Sequence, residues 1–367
     1  MKVLIVANSY WNLIHFRRPI IRMLRARGTE VHLLSPPPVK NIRPEENFHP
    51  LHYCRNQRQS VTDDVRLLLE FYRIFKKSQP DLILLYTIKP NIFGNLAAAR
   101  LRIPVISTVT GLGYTFLRGG SLKFLTLCLY KFAFRRTRKV IFHNPTDLRL
   151  FAEQELVAPG QCRVIPGSGV DVRKFSPLPA PAHRAKFIFL FIGRLLTDKG
   201  IREYLAAAQL LSDLSKVEFH IIGDLYPENP ASLTAEEFQA ARAANSRLVW
   251  HGSQAEVRPF IAAANVFVLP SYREGLSMAI LENMAMGKPI ITTDVPGCRE
   301  TIEAGENGLL VPPKNTEKLA EAMRKMYHLP SAARRRMGEK SRAKAVAEFS
   351  AEKIAAAYAN LIFADEK

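Results

Sequence analysis

Two carboxylates eight positions apart, Glu274 and Glu282, lie in the most chemically suggestive stretch of the chain. Glu274 falls within Pro270-Ser271-Tyr272-Arg273-Glu274-Gly275-Leu276-Ser277, directly after the apolar run Val266–Leu269. That run reads as a buried strand. Met278 to Met286 has helix-forming composition and stops at Gly287, a usual C-terminal position. Strand, tight Glu-Gly turn and helix therefore follow one another without a spare residue. The first backbone N–H groups of such a helix, with its dipole, favour an anion, typically phosphate. Carboxylates at the same place accept hydrogen bonds from hydroxyl groups. One turn suited to both phosphate and hydroxyls points to a sugar nucleotide.

A second loop adds positive charge. Gly193-Arg194-Leu195-Leu196-Thr197-Asp198-Lys199-Gly200 leaves the carboxyl end of the apolar run Phe187–Ile192. Cations at Arg194 and Lys199 can neutralise a diphosphate there. Ile221-Ile222-Gly223-Asp224 and Trp250-His251-Gly252-Ser253 end two further strands on the same side, at Gly223 and Gly252. His251 reads as a structural residue rather than an acid or a metal ligand.

The elements that must position these loops repeat a simple rhythm. At 367 residues the chain is long enough for two domains. Val3–Ala7, Val31–Leu34, Leu82–Tyr86, Val105–Thr108 and Val140–His143 read as strands, with helical stretches at Phe16–Arg27, Val61–Lys77, Asn91–Arg102 and Pro145–Glu155. This alternation predicts a doubly wound α/β domain with a parallel sheet. It pauses near Pro166–Asp171 and the Pro-rich segment Pro177–Pro181, where the linker is expected. It resumes with Phe187–Ile192, Val217–Ile222, Leu248–His251, Val266–Leu269 and Ile290–Thr292. The tail from Leu319 to Phe363 reads as helical throughout. The expected domains are 1–170, 171–345 and a terminal helix, 346–367.

Charge divides the chain unevenly. Residues 1–170 hold 26 Lys and Arg against 10 Asp and Glu, whereas the remainder is nearly balanced, within a net charge of +19. Such asymmetry calls for a partner with concentrated negative charge, such as an anionic membrane, nucleic acid or a polyphosphate. No nucleic-acid motif accompanies it. Between Arg118 and Lys139, apolar Leu122, Phe124, Leu125, Leu129, Phe132 and Phe134 are interleaved with Lys123, Lys131, Arg135, Arg136 and Arg138, a composition that suits a helix in a membrane interface. No apolar run approaches the ~20 residues needed to span a bilayer, and Val3–Ala7 reads as a strand rather than a signal sequence. The four cysteines are scattered, without paired metal spacing, and read as reduced thiols.

The motifs resemble those of the retaining glycosyltransferases of family 4. Glu274 and Glu282 match its E-x7-E signature behind Pro-Ser-x-x-Glu-Gly-Leu, and Gly193 to Gly200 match its Gly-Arg-x4-Lys-Gly. The likeness continues through Gly287-Lys288-Pro289-Ile290 and Asp294-Val295-Pro296-Gly297. It implies a GT-B fold, two Rossmann-like domains facing a cleft, with the donor held mainly by the C-terminal one. It implies a last helix that crosses back to the N-terminal domain. Arg194 and Lys199 would grip the donor diphosphate, Glu274 the sugar hydroxyls and Glu282 the ribose, with Gly275, Leu276 and Ser277 beside them. The donor would be a UDP-sugar, with no metal and no other cofactor.

The N-terminal loops narrow the resemblance. The first turn, Asn8-Ser9-Tyr10-Trp11-Asn12, lacks the Gly-Gly pair common in the family. Gly111-Leu112-Gly113-Tyr114 stands where many members carry a histidine near the sugar, so no catalytic histidine is assigned. Together with Tyr86-Thr87-Ile88-Lys89-Pro90-Asn91, this resembles a bacterial subgroup that extends polyprenyl-diphosphate-linked sugars. The acceptor would meet Asn12, His15, Lys89, Gly111, Gly113 and Tyr114. The enzyme would be cytoplasmic and peripheral on the inner face of the cell membrane. A transferase with a soluble acceptor and a UDP-sugar epimerase are the alternatives within this fold.

Overall fold

The computed structural model describes residues 1–38, 43–54, 60–112, 120–179 and 186–364, with the side chains of 120–123 left aside. They form two compact units, Met1–Gly169 joined by the stretch from Glu352, and Val170–Ala351. The chain passes between units at Gly169–Val170 and again at Ala351–Glu352.

The first unit is built on seven parallel strands: β1 (Lys2–Val6), β2 (Glu30–Ser35), β3 (Phe48–Pro50), β4 (Leu82–Tyr86), β5 (Val105–Val109), β6 (Lys139–Phe142) and β7 (Cys162–Val164). Their order in the sheet is β3-β2-β1-β4-β5-β6-β7. Alternation along β1 sends Val3 and Ile5 into one core and Leu4 and Val6 into another, so both faces of the sheet are covered. On the first face lie α1 (Tyr10–Phe16), α2 (Arg18–Ala26) and, from the far end of the chain, α13 (Ala351–Ile362). Ile354, Tyr358 and Ile362, spaced by four, are buried there among strand residues. The other face carries α3 (Val61–Ser78) and α4 (Asn95–Leu101). Ser60 opens α3 with a capping box closed by Asp63. α5 (Gly120–Phe134) and α6 (Pro145–Glu153) share a further core beside β6.

Six parallel strands form the second unit in the order β10-β9-β8-β11-β12-β13. They are β8 (Phe187–Ile192), β9 (Val217–Ile222), β10 (Leu248–Trp250), β11 (Val266–Leu269), β12 (Ile290–Thr293) and β13 (Gly308–Val311). One continuous core joins this sheet to α7 (Ile201–Leu210), α8 (Ala235–Ala244), α9 (Arg258–Ala263), α10 (Met278–Ala285), α11 (Thr316–His328) and α12 (Ser331–Phe349).

Three strands lie beyond the sequence reading: β3, β7 and β13, each short, at or near a sheet edge and partly exposed. The helix expected over Phe16–Arg27 is α2, which starts at Arg18 with Pro19 in its first turn, and a further helix, α1, precedes it and is closed by Arg17. The continuous tail is likewise three helices, divided at Leu329-Pro330 and at Ser350. Proline cannot supply the N–H that would carry α11 onward. No helix among the described residues is long and apolar enough to cross a membrane.

Glycine is required where the strand ends of the second sheet meet. Gly223 has φ of +140°, and a Cβ on it would lie 1.9 Å from the Gly193 carbonyl oxygen. Its amide donates to the Gly252 carbonyl at 2.9 Å. Gly223→Ala is expected to cost about 1–3 kcal/mol in urea unfolding, from a backbone conformation closed to alanine and the clash. A loss below about 0.5 kcal/mol, the range of neutral surface changes, would show that these strand ends yield rather than lock.

Candidate active site

In each sheet the strand order reverses beside the first strand of the unit, at β1/β4 and at β8/β11. The carboxyl ends of strands flanking such a reversal leave a crevice where open α/β sheets bind ligands. Arg194 and Lys199 follow β8, while Glu274 follows β11, so the two loops singled out by sequence flank the same reversal. Gly223 and Gly252 follow β9 and β10, the next strands outward.

Lys199 ends a short 3₁₀ turn, Thr197–Lys199, and its Nζ donates to Glu274 Oε1 at 2.5 Å. Ser271 Oγ donates to the same oxygen at 2.8 Å. The loops are also tied through the backbone, since the Tyr272 amide donates to the Asp198 carbonyl at 2.9 Å. Tyr272 Oη reaches Glu203 on α7 at 2.5 Å, which fixes the Glu274 turn to the helix that follows Lys199. Gly200, with φ of +73°, allows this approach: a Cβ there would meet the Pro270 carbonyl oxygen at 2.1 Å.

A third loop supports Glu274 from behind. Its amide donates to the Pro296 carbonyl at 3.0 Å, and Ser277 N donates to Gly297 O at 3.2 Å. Gly297, at φ +81°, lies so close that a Cβ would come 2.3 Å from the Glu274 carbonyl oxygen. Ser277 is the N-cap of α10, yet its hydroxyl makes no capping bond. The N-terminal turn of α10 thus has no side-chain cap of its own. Beneath the turn, burial first and then the Glu274 charge push the Cys298 thiol up to about 12, so it is an inert core residue.

Arg194 and Glu282 differ from the Lys199–Glu274 pair. Arg194 is exposed, its guanidinium 5.8 Å from the centre of the Tyr226 ring, and no carboxylate pairs with it among the described residues. The Glu282 carboxylate, on α10, has no hydrogen-bond partner among the described residues. Burial raises its carboxyl from 4.5 to about 7, with Lys174 lowering it and Glu256 raising it by smaller amounts. His251 contacts His220 (Nε2 to Nδ1, 3.2 Å) and Phe260, and burial lowers its pKa, in keeping with a structural role.

Around the β1/β4 reversal stand Asn12, His15 and Lys89, three of the residues expected to meet an acceptor. Asn12 and His15 are on α1, where His15 Nδ1 lies 3.1 Å from the Trp11 carbonyl and its ring stacks on Trp11. Lys89 Nζ donates to Asp64 Oδ1 at 2.7 Å beyond the end of β4. Gly111, at φ +125°, follows β5. Gly113 and Tyr114 lie outside the described residues. Among the described residues no three His, Cys, Asp or Glu side chains are placed to hold a metal ion.

Residues 2–144 match the family described as glycosyl transferase 4-like, and residues 186–328 match the glycosyl transferases group 1. Both matched regions are thus glycosyltransferase domains, one 4-like and one of group 1. It is 29% identical, over 88% of both chains, to the N,N'-diacetylbacillosaminyl-diphospho-undecaprenol alpha-1,3-N-acetylgalactosaminyltransferase of Campylobacter jejuni. It is 27% identical to the UDP-Gal:alpha-D-GlcNAc-diphosphoundecaprenol alpha-1,3-galactosyltransferase of Escherichia coli, over 74% of this chain and 72% of that one. Among solved structures, Anabaena HepE in complex with UDP and glucose superposes with a TM-score of 0.81 at 18% identity, covering 99% of this chain and all of the other. The fold is GT-B and the activity glycosyl transfer.

Ser271, Tyr272 and Gly297 join this candidate site through bonds and close approaches that their sequence positions alone do not announce. Their motifs, Pro-Ser-Tyr and Val-Pro-Gly, were visible, but their bonds to the Lys199 and Glu274 loops were not. Lys174, which faces Glu282 electrostatically, carried no signal at all.

The Glu282 environment has a measurable consequence. Between pH 4.5 and 7 the folded protein retains a proton that the unfolded chain has lost, so stability falls as pH rises through that window. Glu282→Gln removes the buried charge. The variant should gain about 2–3 kcal/mol over the parent at pH 8 and almost nothing at pH 4, read by urea unfolding. An equal difference at both pH values would assign the effect to packing instead.

Proposed function

We propose that this glycosyltransferase moves a hexose or N-acetylhexosamine from a UDP-sugar to a polyprenyl-diphosphate-linked saccharide, retaining the anomeric configuration and needing no metal ion. One observation carries the donor side: at the β8/β11 reversal, a cation and a carboxylate that find no counter-ion and no hydrogen-bond donor among the described residues accompany the Lys199–Glu274 pair. A nucleoside diphosphate sugar supplies what each lacks. Its phosphates meet Arg194, Lys199 and the first amides of α10; its ribose hydroxyls donate to Glu282; its sugar hydroxyls donate to Glu274. The acceptor class is supported by the names of the two bacterial relatives, both of which act on undecaprenyl-diphosphate-linked sugars.

In this reading catalysis is mostly electrostatic. Negative charge grows on the departing diphosphate as the glycosidic bond breaks, and Arg194 and Lys199 stabilise it. The acceptor hydroxyl attacks from the face the diphosphate leaves, and the leaving phosphate takes its proton. Lys199 starts from an ion pair with Glu274, so binding exchanges one anion for another at its ammonium rather than desolvating it afresh.

α5 supports a membrane-bound acceptor. Phe124, Leu125 and Phe132 are 70%, 55% and 60% exposed, while Leu127, Tyr130, Ala133 and Phe134 on the opposite side are buried. Lys131, Arg135 and Arg136 are exposed beside the apolar stripe. We place this helix against an anionic cytoplasmic leaflet, where apolar insertion and charge attraction add.

Replacing Arg194 or Lys199 by Ala should lower kcat by about 10²-fold or more, as loss of one electrostatic stabiliser does elsewhere. Proton NMR of the product should show the donor's anomeric configuration, and EDTA should leave the rate intact. An inverted product or a rate restored only by a divalent ion would overturn those parts of the proposal. Flotation with anionic vesicles should show binding that high salt weakens without abolishing, and Phe124→Asp with Phe132→Asp should remove the salt-resistant part. Indifference to anionic vesicles at low salt would favour a soluble acceptor.

A further inference from the structure

Arg17 is among the largest fully buried side chains of the protein, 1% exposed, and no carboxylate pairs with it among the described residues. A buried guanidinium without a counter-ion is costly and needs a structural or functional reason. Its surroundings are specific. The guanidinium lies 4.0 Å from the centre of the Tyr86 ring, and Nη1 donates to Ser168 Oγ at 2.9 Å. Tyr358 on α13 closes the same chamber, with its hydroxyl 2.9 Å from Thr108 Oγ1. His143 lies nearby; burial and then the Arg17 charge hold its pKa down to about 3, so it brings no competing cation.

The position of this stack in the fold matters more than its chemistry. Arg17 caps α1, the helix that carries Asn12 and His15 after β1. Tyr86 is the last residue of β4, and the strand's continuation carries Lys89. The Arg17–Tyr86 stack therefore spans the β1/β4 reversal and joins the two sets of candidate acceptor residues. Immediately after Tyr86, Thr87 has φ of +72°, which a β-branched residue rarely adopts, and its buried hydroxyl has no hydrogen-bond partner among the described residues. Such a conformation persists only when its surroundings over-determine it. Asn91 restrains the turn from one side, its amide bonding the Thr87 carbonyl at 3.0 Å and its Nδ2 the Thr108 carbonyl at 2.8 Å. Tyr86, held under Arg17, restrains it from the other.

We propose that Arg17 is a positioning residue for the acceptor: by clamping Tyr86 it fixes the strained Thr87 turn, and with it Lys89, against the α1 side chains. The inference rests on the acceptor reading of this unit given above. Arg17→Met keeps length and apolar packing while removing the charge and the planar face, and burial arguments expect it to fold at least as stably as the parent. Arg17→Lys keeps the charge but not the flat, forked face, and is expected not to restore function.

The test uses the full-length protein, a short-chain prenyl diphosphate carrying one N-acetylhexosamine as acceptor, and a UDP-sugar donor panel. For both variants the acceptor KM should rise about tenfold or more, with UDP affinity by calorimetry unchanged. Amide exchange should quicken at residues 86–91 and 9–16 but not in the second unit. Lys89→Ala provides the reference. If it raises the acceptor KM while both Arg17 variants leave KM and amide exchange at parental values, the positioning role is refuted and the acceptor reading stands. Should the parent not use the prenyl acceptor, or should Lys89→Ala be without effect, the acceptor reading falls and this inference with it. Lower stability with parental KM would make Arg17 a fold residue only. If Arg17→Met does not fold, Arg17→Lys carries the same measurements.

Discussion

The contact of Lys199 with Glu274 fixes the geometry on which the second unit depends. Both residues sit on loops with only short local restraints, the 3₁₀ turn that ends at Lys199 and the Ser271 bond to Glu274. They become rigid because strand ends, backbone bonds and glycines bring them together from both sides: Gly200 against Pro270, Tyr272 against Asp198, Gly297 against Glu274. Each glycine is placed where a Cβ would separate two segments by more than their packing allows. The ion pair is half-shielded, with Lys199 and Glu274 side chains 20% and 12% exposed. At that depth attraction is stronger than in water, and the pair is preorganised before any ligand arrives.

Preorganisation at one pair contrasts with deliberate incompleteness beside it. Glu282 and Glu274 are the same residue type on one short strand–turn–helix unit. One is paired with a lysine and accepts a hydrogen bond from a serine; the carboxylate of the other, half-buried, meets no donor among the described residues, and desolvation raises its proton affinity. Sequence spacing cannot distinguish these fates, because they depend on which loops fold back over each carboxylate. In the proposed reading the stability lost at Glu282 is recovered when ribose hydroxyls arrive.

Legibility from sequence followed the strength of local pattern. Long apolar strands such as β4 and β11 are buried on both faces and left continuous apolar runs; their ends were read correctly. Short edge strands such as β3 and β7, only three residues each and partly exposed, left no such signal. The break at Arg17 was hidden for a different reason. An arginine in a basic stretch, Phe16-Arg17-Arg18-Pro19, counts toward net charge and reads as solvated, whereas its true surroundings come from β4, α13 and Ser168, as many as 341 positions away in the case of Tyr358. The excess positive charge of residues 1–170 thus overstates what their surface displays, by at least this residue.

The two units share one kind of restraint. In each, the crevice beside the first strand is held by one cation placed across the strand reversal: Lys199 on Glu274 in the second, Arg17 on Tyr86 in the first. The partners differ in kind. An ion pair can open and let its ammonium turn toward a phosphate, because a carboxylate and a phosphate oxygen are exchangeable partners for a flexible lysine. A guanidinium stacked on a buried tyrosine has no such exchange available, since leaving the ring would strand its charge in an apolar core. In the proposed reading, one device suits a residue that hands itself to a departing diphosphate, and the other suits a scaffold that holds still while it does.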